Sequence, residues 1–465
     1  MARMIQETSS HYRPSHVAAI FHSFPHLNVS LHLVNSTFAP ESELYLESLG
    51  ILGSIPAAWL ILTLFLLLIY LMTRCCDRKP RPKHSIMVLK WTLAIFAVLC
   101  CGAIGVSLYG NDDLHNGLSG FMAAAKDIDE KLHSIKNQTR LIDKSLSTSI
   151  ENLSANLRDI FDAPVTNQTA LSELFAAHRH FGSKREESLK NFREIGRALS
   201  YVSLTRLINY VDLGEMIRWP ATMVVLCLLL VFCIVLLFGV AKHSRYALIM
   251  FSVVGLFAVI ISWLLSSVYL SISVATGDFC VNPDAYIEHK TPHTLQADIL
   301  VYYISCESSL QNPFTQAIRR GRASIDEMNK QLSIIQRLSK NLFGDRVKES
   351  LDMLTNEVYQ ASGLMSSLAT ELECSFFRTK YVDILRSLCH DGLFGLTLML
   401  LASLVSGFFF TILVWLDSHT WIYIRKKQDY ARVDEQDPFL PPSAASQAIA
   451  ARTLRNQGSY NLRDF

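Results

Sequence analysis

Apolar residues gather in five nearly unbroken runs along this chain, at 51–72, 87–108, 219–240, 247–270 and 393–416. A helix of about 20 residues crosses a hydrocarbon core of roughly 30 Å. Backbone groups at that depth have no water to bond, so each run is predicted to be a helix. None carries a charge in its central part. The remaining map is a tail at 1–50, a loop at 73–86, a large segment at 109–218, a short loop at 241–246, a second large segment at 271–392 and a tail at 417–465.

The two large segments keep helical rather than alternating spacing. In the first, Ile128, Leu132, Ile135, Ile142, Leu146, Ile150, Leu153, Leu157 and Ile160 trace one stripe, which Asp162-Ala163-Pro164 breaks. A second runs through Leu171, Leu174, Leu189, Phe192, Ile195, Leu199 and Val202. In the later segment, Ile325, Met328, Leu332, Ile335, Leu338 and Leu342 lead to a turn at Gly344-Asp345. Val347, Leu351, Leu354, Val358, Ala361, Met365, Leu368 and Leu372 then step by fours and threes, the pattern of a helix–helix seam. The fold class predicted is an all-α membrane protein: five transmembrane helices and an extracellular helical domain built from two loops and tied by disulfides.

Charge sets the orientation. Arg74, Arg78, Lys79, Arg81 and Lys83 crowd the loop after the first run, Lys242 and Arg245 the third loop, and Arg425, Lys426 and Lys427 the end of the fifth. Basic loops stay in the cytosol. Glu41, Glu43 and Glu47 flank the other end of the first run. The N-terminus is therefore predicted outside and the C-terminus inside, in a multi-pass plasma-membrane protein. The first 45 residues lack the apolar core of a cleavable signal, so the first span is expected to act as its own. The sequons at Asn28, Asn35, Asn137, Asn152 and Asn167 all fall in predicted outer segments and are glycosylation candidates. Cys280, Cys306, Cys374 and Cys389 lie in the second outer segment, where oxidation is expected. A hairpin turning at Gly344 brings Cys306 near Cys374, and Cys280 and Cys389 both sit near the membrane. Nested pairing is the economical choice, and the other connectivities stay open.

The formal net charge of +2 gives no indication of nucleic-acid binding. No phosphate loop, nucleophile elbow, His-Glu-x-x-His motif or outer Cys-x-x-Cys pair is present, so no enzyme is expected. Transporters keep ionisable residues in their spans. Here Ser262, Ser266, Ser267, Ser403 and Ser406 fit helix packing instead. A pore within one copy is not expected; one between copies, or one shaped by outer-domain charge, stays open. After the second run comes Asn111-Asp112-Asp113-Leu114-His115-Asn116, a cluster of oxygen ligands suited to Ca²⁺ or to helix capping. Cys75 and Cys76, at the basic edge, suit S-palmitoylation or stay unmodified. The tail from Asp434 is rich in Pro, Ser, Ala, Gln and Asn and is expected to be disordered.

Several ordered motifs resemble the tweety homologue family over nearly the whole chain. They are Tyr12-Arg13-Pro14-Ser15, Phe38-Ala39-Pro40, Tyr109-Gly110-Asn111, Asp278-Phe279-Cys280-Val281, Pro283-Asp284, Tyr302-Tyr303, Pro313-Phe314, Cys389-His390-Asp391-Gly392-Leu393 and Asp437-Pro438-Phe439. The resemblance implies a homodimer with an outer helical domain, N-glycans and disulfides. It implies calcium- or volume-dependent chloride channel activity, and also a lipid-filled apolar outer pocket in place of an evident pore. The alternative function is therefore a lipid-binding, lipid-transfer or adhesion dimer. The family's calcium ligands fall on Asn111, Asp113 and Asn116, the last standing where relatives carry an acid. Arg179, in Ala177-His178-Arg179-His180, is similar to an arginine tied to anion permeation. Some relatives' Arg-Gly-Asp and Pro-Pro-x-Tyr motifs have no counterpart here, where Pro441-Pro442-Ser443-Ala444 ends differently.

Overall fold

The computed structural model describes residues 12–75, 83–200, 202–242, 245–290, 295–307 and 309–436. Among them the chain is helical and contains no strand. The helices are α1 (His16–His22), α2 (Glu43–Cys75), α3 (Lys83–Lys144), α4 (Ile150–Phe161), α5 (Gln168–Ser200), α6 (Thr205–Lys242), α7 (Arg245–Val281), α8 (Pro283–Lys290), α9 (Leu295–Ser305), α10 (Thr315–Phe343), α11 (Lys348–Glu371), α12 (Cys374–Arg386) and α13 (Leu393–Gln436). Among the described residues five helices are long and apolar enough to cross a membrane. They are α2, α3, α6, α7 and α13, and the chain is a multi-pass membrane protein.

The spanning helices outrun the apolar runs that announce them. Helix α3 is 62 residues long and carries the second span straight into the domain. A π-helical turn at Ser145–Ser149 follows without a break, then α4. Helix α6 begins at Thr205, well before the run at 219. Hydropathy therefore marks where lipid begins, not where a helix ends. In the membrane α13 packs between α3 and α7, with α6 beside α3 and α2 beside α7. Their shared core includes Leu93, Ala97, Ile104, Leu229, Val259, Trp263, Phe410 and Leu413. The Ser266 hydroxyl donates to Ser403 at 2.9 Å and to its own helix at Ser262, so these buried hydroxyls are joined to each other.

The domain buries the predicted stripes against one another, except that Val202 lies past the end of α5 at Ser200 and is exposed. Ile135, Ile142, Leu146, Ile150, Leu157, Phe192, Ile195, Met328, Leu332, Val358, Ala361 and Leu368 form one core. Helices α10 and α11 fold back as a hairpin across a 3₁₀ turn at Gly344–Val347. Gly344 stands there at φ +63°, a backbone shape that a side chain disfavours. Every position from Leu351 to Leu372 in the four-and-three pattern is buried. Cys306 joins Cys374 and Cys280 joins Cys389, each at a Cα separation of 5.6 Å. The first bridge closes the hairpin; the second ties α7 to the start of α13.

Candidate functional site at the membrane edge

Where the spans meet the domain, the N-terminal segment wraps the ends of α2, α7 and α13. Asp278, near the end of α7, is buried, and three donors converge on its carboxylate. His22 Nδ1 lies 2.8 Å from Oδ1, His26 Nε2 2.9 Å from Oδ2, and the Tyr45 hydroxyl 2.7 Å from Oδ2. A buried charge is tolerated only when paired and bonded in this way. The hydrogen bond to Asp278 holds His26 above its ordinary pKa, against the opposing effect of burial. Burial chiefly, with the same carboxylate, pushes the Tyr45 phenol up. The strap continues over the disulfide: the Tyr12 hydroxyl donates to Cys280 O at 2.8 Å and Ser15 Oγ to Cys389 O at 3.0 Å. Ser15 also caps α1, accepting from Ala18 N. Gly277 makes the close approach possible, since a Cβ there would stand 2.6 Å from Phe21 Cβ.

On the neighbouring face α3 and α13 touch backbone to backbone. A Cβ on Gly117 would fall 2.4 Å from Gly392 N, and one on Gly395 2.5 Å from Leu114 N. Small residues at such crossings let membrane helices approach closely. The crossing draws Asp113 beside Asp391. Burial, then the charges of Asp391 and Asp112, raise the Asp113 carboxyl. Asn111 turns away from this cluster: its Oδ1 accepts from Arg218 Nη1 at 2.7 Å and from Thr222 at 2.8 Å. Asn116 is exposed and bonds to Asp112 at 3.5 Å. The three residues that the resemblance groups as calcium ligands thus point to different neighbours, because 111 and 113 lie on opposite sides of one helix. Among the described residues no group of three or more His, Cys, Asp or Glu side chains is arranged to hold a metal ion.

Arg218 belongs to a second buried tie that the sequence reading missed. Its guanidinium grips Glu215 through Nε at 2.7 Å and Nη2 at 2.6 Å, while His115 Nδ1 meets the same carboxylate at 2.7 Å. The His115 ring stacks on Trp219, centroids 4.7 Å apart. This fixes the inner face of α6 to α3. The opposite face of α6 is apolar and uncovered from Tyr210 through Leu213, Ile217, Val224, Leu228 and Val231 to Phe238. Those positions recur at helical spacing, so they form one stripe. It continues past the start of the apolar run at 219 into the domain side.

The other predicted residues scatter. Asn35, Asn137, Asn152 and Asn167 are exposed and Asn28 is half-buried. Asn167 also caps α5, accepting from Ala170 N at 3.1 Å. Arg179 is exposed on α5, next to a cleft of about 410 Å³ that His180, Lys184, Glu187, Arg320 and Glu327 line. Lys184 beside Glu187 holds that carboxyl below its usual range. Cys76, most of the basic loop and the tail from 437 lie outside the described residues, as does the side chain of Cys75. The signals for the Asp278 cluster were present, as two His four residues apart and an acid just beyond a span, but nothing in their spacing joins them.

Comparison with known proteins agrees with this architecture. The tweety family pattern matches residues 13–446. Drosophila melanogaster tweety is 44% identical over 98% of this chain and 47% of its own length, so the chain spans about half of that relative. The movement modulator protein of the same fly is 34% identical over 97% of this chain and 72% of its own. Tweety homolog 1 of Xenopus tropicalis is 28% identical over 93% of this chain and 97% of its own. The chain belongs to the tweety family.

Proposed function

We propose that this protein acts at the plasma membrane, N-terminus outside and C-terminus inside, as a lipid-binding dimer whose outer domain receives lipid from the bilayer. The observation that carries the reading is the stripe on α6. Tyr210 is 75% exposed and precedes the run at 219. By the helix rise it stands about 13 Å above the start of the span. Between them Leu213 and Ile217 continue the lipid-facing surface without a polar interruption on that face. A single face that is apolar on both sides of the membrane edge gives an acyl chain or sterol a path along which its apolar contacts are kept. On the other side, the Glu215–Arg218–His115 tie holds α6 upright.

Chloride conduction is the second reading. In its favour stand the family resemblance and the Lys184 and Arg320 side chains in the cleft that also holds His180, the neighbour of Arg179 in sequence, although Glu187 and Glu327 line the same cleft. Calcium enters either reading at Asp113 and Asn116, with Asp391 nearby, where the cation offsets carboxylate repulsion and a second copy or water completes its oxygen shell. Asn111 joins only if its oxygen leaves Arg218 and Thr222.

Paired assays on one liposome preparation test both. Wild type should transfer fluorescent lipid between vesicles, and Tyr210→Asp with Leu213→Asp should lower transfer and co-purified lipid several-fold. Chloride flux should stay at the level of protein-free vesicles. Flux that Arg179→Glu alters, with no change in lipid when the stripe is charged, would replace this reading with the channel.

A further inference from the structure

A short hairpin between the strap's anchor and α2 has a tip of unusual composition. It closes through Val34 N to His26 O at 2.8 Å and Asn28 N to His32 O at 3.0 Å, with a bridge between Leu27 and Leu33. Turns in water favour Gly, Asn, Asp and Ser. Here Val29 and Leu31 are each 73% exposed and Leu33 78%. Leu31 moreover holds φ +60°, a left-handed conformation that costs a residue with a Cβ energy. Such an outlier is a reason to look for a function at the tip.

Two bonds tie the hairpin to the helix ends. At its base, His26 is bonded to Asp278. Asp278 lies beyond the run that ends at 270. By the helix rise that is about 12 Å past the end of the span. At its tip, Val29 N donates to Glu47 Oε1 at 2.7 Å. Glu47 precedes the run at 51, which puts it only about 6 Å from the hydrocarbon. The same Asp278 oxygen also accepts from Tyr45, so the hairpin's base and tip are tied to α2 at positions two residues apart. A bilayer's polar layer extends roughly 5–8 Å beyond its hydrocarbon on each side, and the tip is bonded to a residue at that level. Leu46, next to Glu47 on α2, is exposed too.

We propose that the tip formed by Val29, Leu31 and Leu33 rests in the headgroup layer of the domain-side leaflet and contacts lipid directly. The partner is the bilayer surface itself. The contact is separate from the α6 stripe and holds whether the protein binds lipid or conducts anions. The depth is shallow: a glycan on Asn28 at headgroup height is compatible with it, whereas a tip buried among acyl chains is not. Because His26 and Asp278 fix the base, the tip is a rigid foot rather than a loose loop.

The test uses the full chain in phosphatidylcholine liposomes with a benzophenone-bearing amino acid in place of Leu31. After illumination, the peptide containing position 31 should carry the mass of phosphatidylcholine, at a yield several-fold above the same group placed at Tyr359. Tyr359 is as exposed but sits on α11 in the domain. Equal yields at the two positions would overturn the proposal. So would cross-linking of position 31 to a second copy, which would make the tip a protein interface.

Discussion

The hairpin of α10 and α11 and the collar at the membrane edge are each closed by a disulfide, yet they hold together by opposite means. In the hairpin, Leu332, Ile335, Leu354, Val358 and Leu368 belong to one buried apolar core, and Cys306–Cys374 closes the end opposite the turn. The contacts are numerous, similar and non-directional, so no single one decides the outcome. In the collar around Cys280–Cys389, one carboxylate receives three donors and one backbone crosses another with no room for a methyl group. Apolar seams tolerate substitution gradually; convergent polar sites and backbone contacts fail all at once.

The strongest way to break that contrast is Gly117→Val. A Cβ there would lie 2.4 Å from Gly392 N and 2.6 Å from its Cα, so backbone must move. We expect a loss above the roughly 1–3 kcal/mol of ordinary overpacking and retention before the cell surface. Gly102→Val, with nothing within 4 Å of its Cβ, should reach the surface normally. Equal delivery of the two variants would show that the crossing is not tight.

Next in size is Asp278→Ala. Removing one partner of a buried ion pair costs about 3–5 kcal/mol, and His26 would be left buried without its acceptor. Leu354→Ala, in the hairpin, should cost about 2–5 kcal/mol. The two differ in place rather than amount. Limited proteolysis should release the segment before 42 in the first variant and leave it protected in the second. Cys306→Ala belongs with the hairpin, at about 2–5 kcal/mol for a lost native disulfide, and should loosen the domain while the strap stays docked.

A pH series sharpens the comparison further. Facing the Asp278 site are His22 on α1, His26, Tyr45 on α2 and, toward the hairpin tip, Glu47. Tyr12, Asp284 and Tyr381 surround the adjoining disulfide; Tyr12 is pushed up to about 12 by burial, then by Asp284. The tyrosines stay protonated across the physiological range. His26 is raised in the folded state, so its contribution is complete below the ordinary value of about 6.5 and is lost as pH rises through the raised one. Protection of the strap from protease should therefore fall between mildly acidic and mildly alkaline pH. Asp278→Asn should flatten that profile, and hairpin protection should not follow it in either protein.

The smallest expected effect is calcium's. Millimolar Ca²⁺ should shift the monomer–dimer balance with an affinity of about 10⁻⁴–10⁻³ M, as in extracellular sites, and Asp113→Ala should remove the shift. An unchanged dimer fraction in both proteins, with calcium or chelator, would leave Asp113 as a strained neighbour of Asp391 and nothing more.

The contrast also explains what could be read in advance. The spans and hairpin seam were legible because period and run length are local signals. Val347, Leu351, Leu354 and Val358 announce their own face. The collar was not legible. Asp278 stood in a quoted motif, but its partners at 22, 26 and 45 lie more than 230 positions away. Asn111 shows the same limit: the resemblance groups it with Asp113, and only the structure shows that the helix turns its oxygen toward Arg218. Helix ends were overlooked because α3 and α6 leave the bilayer without changing conformation, and hydropathy records only the change of solvent.

One bond in the collar has a consequence for biogenesis. Ser15 Oγ reaches Cys389 O across 374 positions of sequence. A chain made from its N-terminus inward must therefore synthesise all of the domain before its first described residues have anywhere to dock. The strap cannot close before Cys389 has been made, and contacts of such separation form slowly. Until it closes, Phe21, Tyr45 and the apolar surface under them remain uncovered. Exposed apolar surface is what retains unfinished proteins with chaperones. The strap thus acts as a seal that only a chain made as far as Cys389 can set.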